Sequence, residues 1–389
     1  MKNEILLLII ILLILLFISI PKKQELTRSK TNNEVRGVFI SYIDYSKYIG
    51  VNSNKEVKEN IDTIINNVKK MNFNTIILQV VSFSDAIYKS NVYPTSKILK
   101  NTVDIDVLDY FVKKAHQNKL KIHAWVNPYR VSSSTDINNI NSNNPAYEFI
   151  NTDNIKVIEG KGIFYNPAKE EVKQLIVNCV REIVTNYDID GICFDNYFYP
   201  SNDIDNNNYN EYLKNHKYLT LEKYHLNNIN ELVKRVKEVV HKHNKLFGVS
   251  PDGNIDNNYN NNFADVYTWC NSTKYVDYIM PQLYYGFLNS SKTYVNTVNQ
   301  WNDLIKNKDI KLIIALALYK AGTTDLYAKD GINEWIDNND ILKREILIGR
   351  NLSNYDGFAI FRYDYLVNKD IINENVFKET ENLQTIIKK

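Results

Sequence analysis

Most of this chain alternates between short apolar runs and longer stretches with a single apolar face. The runs, rich in Val, Ile and Phe, fall at Gly37–Ser41, Thr75–Val81, Lys121–Val126, Gly191–Phe194, Leu246–Ser250, Tyr278–Met280, Lys311–Ala317 and Gly357–Phe361. They read as eight strands. Between them the apolar positions change period. Val172, Leu175, Ile176, Cys179, Val180, Ile183, Val184 and Tyr187 recur at helical spacing, which predicts an amphipathic helix. Val57, Ile61, Ile64, Ile65, Val68 and Met71 repeat the pattern, as do Leu226, Ile229, Leu232, Val233, Val236 and Val240. Strands that alternate with helices pair in parallel through right-handed crossovers. Eight such units within residues 35–365 match one α/β domain, a (β/α)8 TIM barrel with some long βα loops. A doubly wound open sheet is the alternative, but it usually has fewer strands and often a glycine-rich phosphate loop. The chain has 12 glycines and no G-x-G-x-x-G, so it lacks a nucleotide fingerprint.

The N-terminus follows another pattern. Met1-Lys2-Asn3-Glu4 precedes an apolar run from Ile5 to Ile20, broken only by Ser19, and Pro21-Lys22-Lys23 follows. As a helix the run would span about 24 Å, slightly short of the roughly 30 Å core of a bilayer. That is the size of a long signal-peptide core or a short signal anchor. The exit, Ile18-Ser19-Ile20-Pro21, shows no small-x-small cleavage site, and no cysteine lies nearby to take a lipid. Residues 1–21 are therefore expected to act as a signal anchor or signal peptide, exporting the rest to the outer side of the membrane. Residues 22–34 read as a solvated stalk and residues 366–389 as a C-terminal tail.

Composition narrows the possibilities. In 389 residues, 44% are hydrophobic and 24% charged, which excludes wholesale disorder. Forty-seven Lys and Arg against 45 Asp and Glu leave a net charge of +2, which argues against a nucleic-acid partner. Cys179, Cys193 and Cys270 are too few and too scattered for a disulfide framework or structural zinc, and the six histidines show no metal spacing. No cofactor or metal is expected. Tyrosine is the unusual count, at 28 beside 15 Phe and 4 Trp. It reflects either AT-rich codon usage or ring platforms for a sugar.

In a barrel of this kind the chemistry sits where strands end and βα loops begin. Those positions carry Tyr42, Gln79, Asp85, Asn127, Arg130, Asp195, Asn196, Tyr197, Asp252, Gln282, Tyr284 and Tyr319. Carboxylates, amides and rings on one rim suit glycosidic chemistry, in which one acid protonates the leaving oxygen and a second group stabilises the oxocarbenium.

The same residues carry a resemblance. Trp125-Val126-Asn127-Pro128-Tyr129-Arg130, the stretch Tyr187 to Asp195, Tyr197-Phe198-Tyr199-Pro200, Phe247-Gly248-Val249-Ser250-Pro251 and Pro281-Gln282-Leu283-Tyr284 together resemble the glycosyl-hydrolase-like family ten over about residues 35–365. The resemblance implies an exported bacterial (β/α)8 enzyme that cleaves cell-envelope glycan, peptidoglycan with its N-acetylated sugars, by hydrolysis or lytically. Several rim positions depart from the family. Its Asp-Asp after the fourth strand is Asp195-Asn196 here, its Q-V-R-P-x-G-D-A is Gln79 to Ala86 without the Arg and Gly, its Trp-Arg pair is Tyr224-His225, and its Ser-Pro-Phe-Gly is Ser250-Pro251-Asp252-Gly253. Set against the D-G-x-D-x-D-x-E motif of family-eighteen chitinases, Asp190, Gly191 and Asp195 match, while the acid's place holds Tyr197.

On this reading Asp195 supplies the ionised group, or polarises a substrate 2-acetamido group, and Asp85 and Asp252 compete to be the acid. Asn127, Arg130, Asn196, Tyr197, Gln282, Tyr284 and Tyr319 are the expected substrate contacts. Asn127 and Arg130 would otherwise brace a tight turn, and Gln282 and Tyr284 would otherwise pack. Trp125 reads as barrel core, and the Asn-rich loops Asp205–Asn210 and Asn254–Asn262 as surface drift. Two alternatives stand beside the enzyme of wall glycan: a non-catalytic barrel that binds it, and a hydrolase of a non-wall polysaccharide.

Overall fold

A computed structural model describes residues 33–196, 198–216 and 218–387. The expectations for residues 1–21, for most of the stalk and for Tyr197 lie outside the described residues. Eight parallel strands close on themselves: β1 (Val35–Ile40), β2 (Thr75–Val81), β3 (Lys121–Val126), β7 (Gly191–Phe194), β8 (Leu246–Val249), β9 (Tyr278–Ile279), β10 (Lys311–Ala317) and β11 (Tyr355–Phe361). Around the barrel the order is that of the chain, and β11 returns to β1 with Val35 opposite Gly357. The remaining strands, β4 (Arg130–Ser132), β5 (Ile155–Ile158) and β6 (Gly162–Tyr165), form a small antiparallel sheet inserted after β3. Each apolar run read from the sequence lies in its barrel strand to within two residues.

The principal helices are α1 (Tyr42–Ile49), α2 (Asn54–Lys70), α3 (Val107–Gln117), α4 (Glu170–Asn186), α5 (Leu221–Lys242), α6 (Tyr294–Leu304), α7 (Ile341–Gly349) and α8 (Glu374–Ile387), with shorter ones in the loops. Several begin where a short polar side chain accepts a backbone N–H: Ser53 before α2, Asp106 before α3, Thr220 before α5 and Thr293 before α6. In α4 the residues Val172, Ile176, Cys179, Val180, Ile183 and Val184 are buried, the face that the spacing predicts. All three cysteines are buried and unpaired.

Alternation along the strands splits the core in two. Residues such as Val38, Ile76, Ala124 and Ile192 face outward into the helix layer. Phe39, Ile77, Trp125, Cys193, Tyr278, Met280 and Ile313 fill the barrel's interior. Tyr278 needs space there that only glycine leaves, because a Cβ on Gly248 would lie 2.1 Å from its ring. Its hydroxyl meets His123 Nδ1 at 2.8 Å, and burial drives the imidazole down to about 4, so it is neutral at ordinary pH. The lower barrel is thus plugged. The two-residue β9 is short because Pro281 cannot donate to the ladder. Pairing resumes at Gln282, which bridges Asp252 on one side and Ala315 on the other.

Two segments differ from their sequence reading. The span designated a tail holds α8, whose Val376, Leu383 and Ile387 are buried and whose Gln384 Nε2 donates to Met71 O at 3.0 Å. The Asn-rich loops are not solvated drift. Asp205 is buried between Tyr199 Oη at 2.8 Å and His225 Nε2 at 2.9 Å, and buried Asn258 donates to Asp252 O at 2.7 Å. Repetitive composition conceals such partners, because each depends on one position rather than on an average. In α7, Glu345 is fully buried, and neither carboxyl oxygen has a hydrogen-bond partner among the described residues. Burial first, then Glu379 and Glu334 nearby, push its carboxyl well above the ordinary range.

Candidate active site

Asp195 is the residue immediately after β7, at the mouth of the barrel, and only 7% exposed. Its carboxylate is held by three strand ends. Oδ1 accepts from the Asn196 amide at 2.8 Å and from Gln282 Nε2 at 3.2 Å, and Oδ2 accepts from Trp125 Nε1 at 3.2 Å. Gln282 is fixed in turn by donating to Ser250 O at 3.2 Å. Burial opposes the charge more than these donors and the nearby Arg130 favour it, and the Asp195 pKa rises to about 6. A carboxyl group so placed holds a proton in mildly acidic solution and releases it near neutrality, which suits an acid–base catalyst better than a permanently ionised one.

The carboxylate faces a cavity of about 190 Å³. Phe39, Trp125 and Phe361 make its apolar base, with Phe39 edge-on to the other two rings at 5.5 and 5.7 Å. Tyr42 and Tyr284 stand at the walls beside Asn127, Arg130, Asn196 and Gln282. Asn127 is buried, and its Nδ2 donates to Ser82 O at 3.3 Å. Its Oδ1 is buried with no hydrogen-bond partner among the described residues. A buried acceptor left open on a cavity wall is costly unless a donor arrives there. Among the described residues lining this cavity Asp195 is the only carboxylate.

The structure therefore brings together Asp195, Asn127, Arg130, Asn196, Gln282 and Tyr284, and leaves three expected residues apart. Asp85 lies in a neighbouring cavity, where Oδ1 accepts from the Phe83 amide at 3.1 Å. Asp252 turns away and braces its own loop, accepting from the Asn254 amide at 2.7 Å and Asn257 Nδ2 at 2.8 Å. Neither lines the cavity of Asp195, because each lies in a loop whose turn its carboxylate stitches. Tyr319 packs behind Tyr284 and Phe361, ring centroids 5.9 Å from each, and supports the wall. Trp125 does more than its core reading implies, since one edge is barrel interior and its N–H reaches Asp195. Asp44, a rim position after the first strand, is not among the expected site residues, and neither is Ser41. Buried Asp44 accepts from the Ser41 amide at 2.7 Å and the Asp364 amide at 2.9 Å and pairs with Arg362, tying the ends of β1 and β11 together beside the cavity. No spacing rule links residues that far apart. Among the described residues no three His, Cys, Asp or Glu side chains are placed to share a metal ion.

A closed parallel barrel with a proton-tuned carboxyl among rings and amides at its strand ends matches the architecture of the barrel glycoside hydrolases. Comparison with known proteins agrees. Residues 34–332 match Glycosyl hydrolase-like 10, and the chain belongs to that family. It is 29% identical to glycosyl hydrolase YngK of Bacillus subtilis over 333 residues, covering 78% of this chain and 64% of that protein. It is 27% identical to glycosyl hydrolase DigH of Escherichia coli over 384 residues, covering 88% of this chain and 86% of that protein. The chain thus spans somewhat less than two thirds of the Bacillus relative's length. Among solved structures, the glycoside hydrolase domain of PgaB (BpsB) from Bordetella bronchiseptica shares the fold at a TM-score of 0.57 and 13% identity, over 91% of this chain and 99% of that one. The catalytic domain of β-amylase from Paenibacillus polymyxa shares it at 0.54 and 11%, over 92% and 99%.

Proposed function

We propose that this protein hydrolyses glycosidic bonds in an N-acetylated glycan of the bacterial cell envelope, of the peptidoglycan type, and works on the outer side of the membrane. The observation that carries the reading is Asp195: one buried carboxyl, its pKa raised to about 6, facing a cavity walled by rings and amides. The family supports the glycosidic chemistry. The apolar run Ile5–Ile20 supports export.

With one carboxylate lining the described cavity, the sugar's own 2-acetamido group is the partner that completes the chemistry. Protonated Asp195 gives its proton to the leaving glycosidic oxygen as the acetamido oxygen attacks the anomeric carbon and the C1–O bond breaks. Water then adds to that carbon, Asp195 takes one of its protons, and the ring formed by the acetamido group opens. The open acceptor Asn127 Oδ1 would take the acetamido N–H, holding the group in line for attack. Tyr42 and Tyr284 offer faces and edges to the pyranose.

Purified protein incubated with isolated peptidoglycan is expected to release reducing ends, with fragment masses consistent with addition of water. Reducing ends from a polysaccharide without N-acetyl groups, and none from peptidoglycan, would favour a non-wall hydrolase. Binding without cleavage would favour a glycan-binding barrel, the reading that Asn196 in place of the family's second Asp supports.

A further inference from the structure

A buried polar chain that the proposed chemistry does not use leads to the mouth of the barrel. It starts at Asp205 and His225, whose side chains are both wholly buried, with His225 Nε2 donating to Asp205 Oδ1 at 2.9 Å. The other carboxyl oxygen, Oδ2, accepts from Tyr199 Oη at 2.8 Å. That hydroxyl accepts in turn from Asn228 Nδ2 at 3.3 Å, and Asn228 Oδ1 accepts from Lys173 Nζ at 3.0 Å. His225 and Asn228 lie on α5 and Lys173 on α4, so the chain is built into two helices that pack together. The imidazole is clasped between rings, its centroid 4.3 Å from that of Tyr199 and 4.5 Å from that of Phe263.

Burying a carboxylate is costly unless it is fully partnered, and apolar side chains would pack a loop as firmly. What directional bonds add is a fixed position, and here the fixed segment adjoins the reacting group. Phe198 and Tyr199 are both buried, and the Phe198 ring meets Trp269 edge-on at 5.4 Å. The Phe198 amide donates to Asn196 O at 3.1 Å. The Asn196 amide donates to Asp195 Oδ1 at 2.8 Å. Of the groups that favour the charged form of Asp195, this amide acts most strongly. Arg130 and Cys193 also interact with Asp195, and neither belongs to the chain. Around the Asp205–His225 pair stand Tyr199 and Tyr224, and Glu231 pairs with Lys173 at the far end.

We propose that His225 is a positioning residue for Asp195: through Asp205 and Tyr199 it holds the turn that aims the Asn196 amide at the carboxylate. The inference rests on Asp195 as the proton donor, yet the titration of Asp195 is read without substrate. The test is an NMR titration of isotopically labelled aspartate carboxyls in the full-length chain, with the Asp195 signal assigned by its loss in Asp195→Asn. His225→Phe keeps a ring and removes the donor. Tyr199→Phe breaks the next link, spares the Asp205–His225 pair, and carries the test if His225→Phe does not fold. In both, the Asp195 midpoint should rise by about 0.5 or more in pH, because a donor to the ionised form is slackened. The falling limb of kcat/KM should move with it, which a loss of stability alone would not bring about. His225→Gln, whose side-chain amide also donates, should restore both. An unchanged midpoint in Tyr199→Phe, or His225→Gln displaced as far as His225→Phe, would overturn the positioning role. The expected displacement in a protein that cleaves no glycan would instead overturn the hydrolase reading and leave the positioning role standing.

Discussion

Asp195 sits between two opposed demands. Three hydrogen bonds stabilise its charge and burial opposes it, and the balance leaves the pKa at about 6 rather than 3.8. As proton donor it works only when protonated, so kcat/KM is expected to fall as pH rises through about 6; a pH–rate profile flat from 5 to 8 would remove it from that role. The same shift bears on stability. Between about 4 and 6 the folded chain keeps a proton that the unfolded chain has lost, so Asp195 makes the fold less stable as pH rises across that window. Asp195→Asn keeps the shape and removes the titration. Turnover should drop by at least about 10³-fold, on the order of 4 kcal/mol of transition-state stabilisation, with fold and glycan binding retained. Asp252→Asn should keep turnover within a few-fold, because that carboxylate braces a loop; loss comparable to Asp195→Asn would return it to the catalytic list. The sequence pointed to Asp195 through its place at a strand end. Its partners Trp125 and Gln282 come from other strands, and nothing in local spacing tells a ring that is only core from one whose N–H reaches a carboxylate.

At the level of elements, period locates the eight barrel strands and helices α2, α4 and α5, but not α8, which reads as a tail, nor the small inserted sheet. Strands such as Thr75–Val81 and Lys311–Ala317 have near-continuous burial, which leaves an unbroken apolar run in the sequence. Helices α2, α4 and α5 leave a clean 3.6-residue face for the same reason. Loops leave no such trace: by sequence Asp85 reads as a partner of Asp195 although the two occupy different cavities, and buried Asp205 reads as surface. One element carries a cost the apolar pattern does not disclose. Glu345 lies on the buried side of α7, and Glu379, raised to about 7, caps the helix by accepting from the Ile341 and Leu342 amides. Both carboxyls ionise more readily in the unfolded chain, so the fold should lose stability as pH climbs from about 4.5 through 7. Glu345→Gln removes one charge at constant shape. Its melting temperature should exceed that of the parent at pH 8 and approach it at pH 5; equal melting temperatures at pH 8 would show that burial does not raise the Glu345 carboxyl above its unfolded value.

Across the whole molecule, the closed barrel followed from a count of eight alternating units, and the described residues beyond 34 form one compact unit. Limited proteolysis should accordingly leave one core that begins near residue 35 and retains α8; two stable fragments separated between β7 and β8 would contradict it. What the sequence could not convey is that the rim is divided into two cavities, since that depends on Tyr42 at the start of α1, Phe83 in the loop after β2 and Arg130 at the start of β4 meeting in space. Among the described residues no helix is long and apolar enough to cross a membrane; the proposed anchor is the apolar run Ile5–Ile20, which lies outside them. If that run holds the protein, it should sediment with membranes and yield to protease added outside intact cells; recovery only from the cytoplasmic fraction would refute the proposed location.

The two ends of the barrel domain share a face. Val35 starts β1 at the strands' N-terminal side, and α8 docks there too, with Gln384 on Met71 O and Ile387 O accepting from Asn72. The mouth with Asp195 opens on the opposite side. The domain therefore offers two handles for fusion or immobilisation, and a bead, a reporter or a second domain attached by either one leaves the approach of a polymer unobstructed.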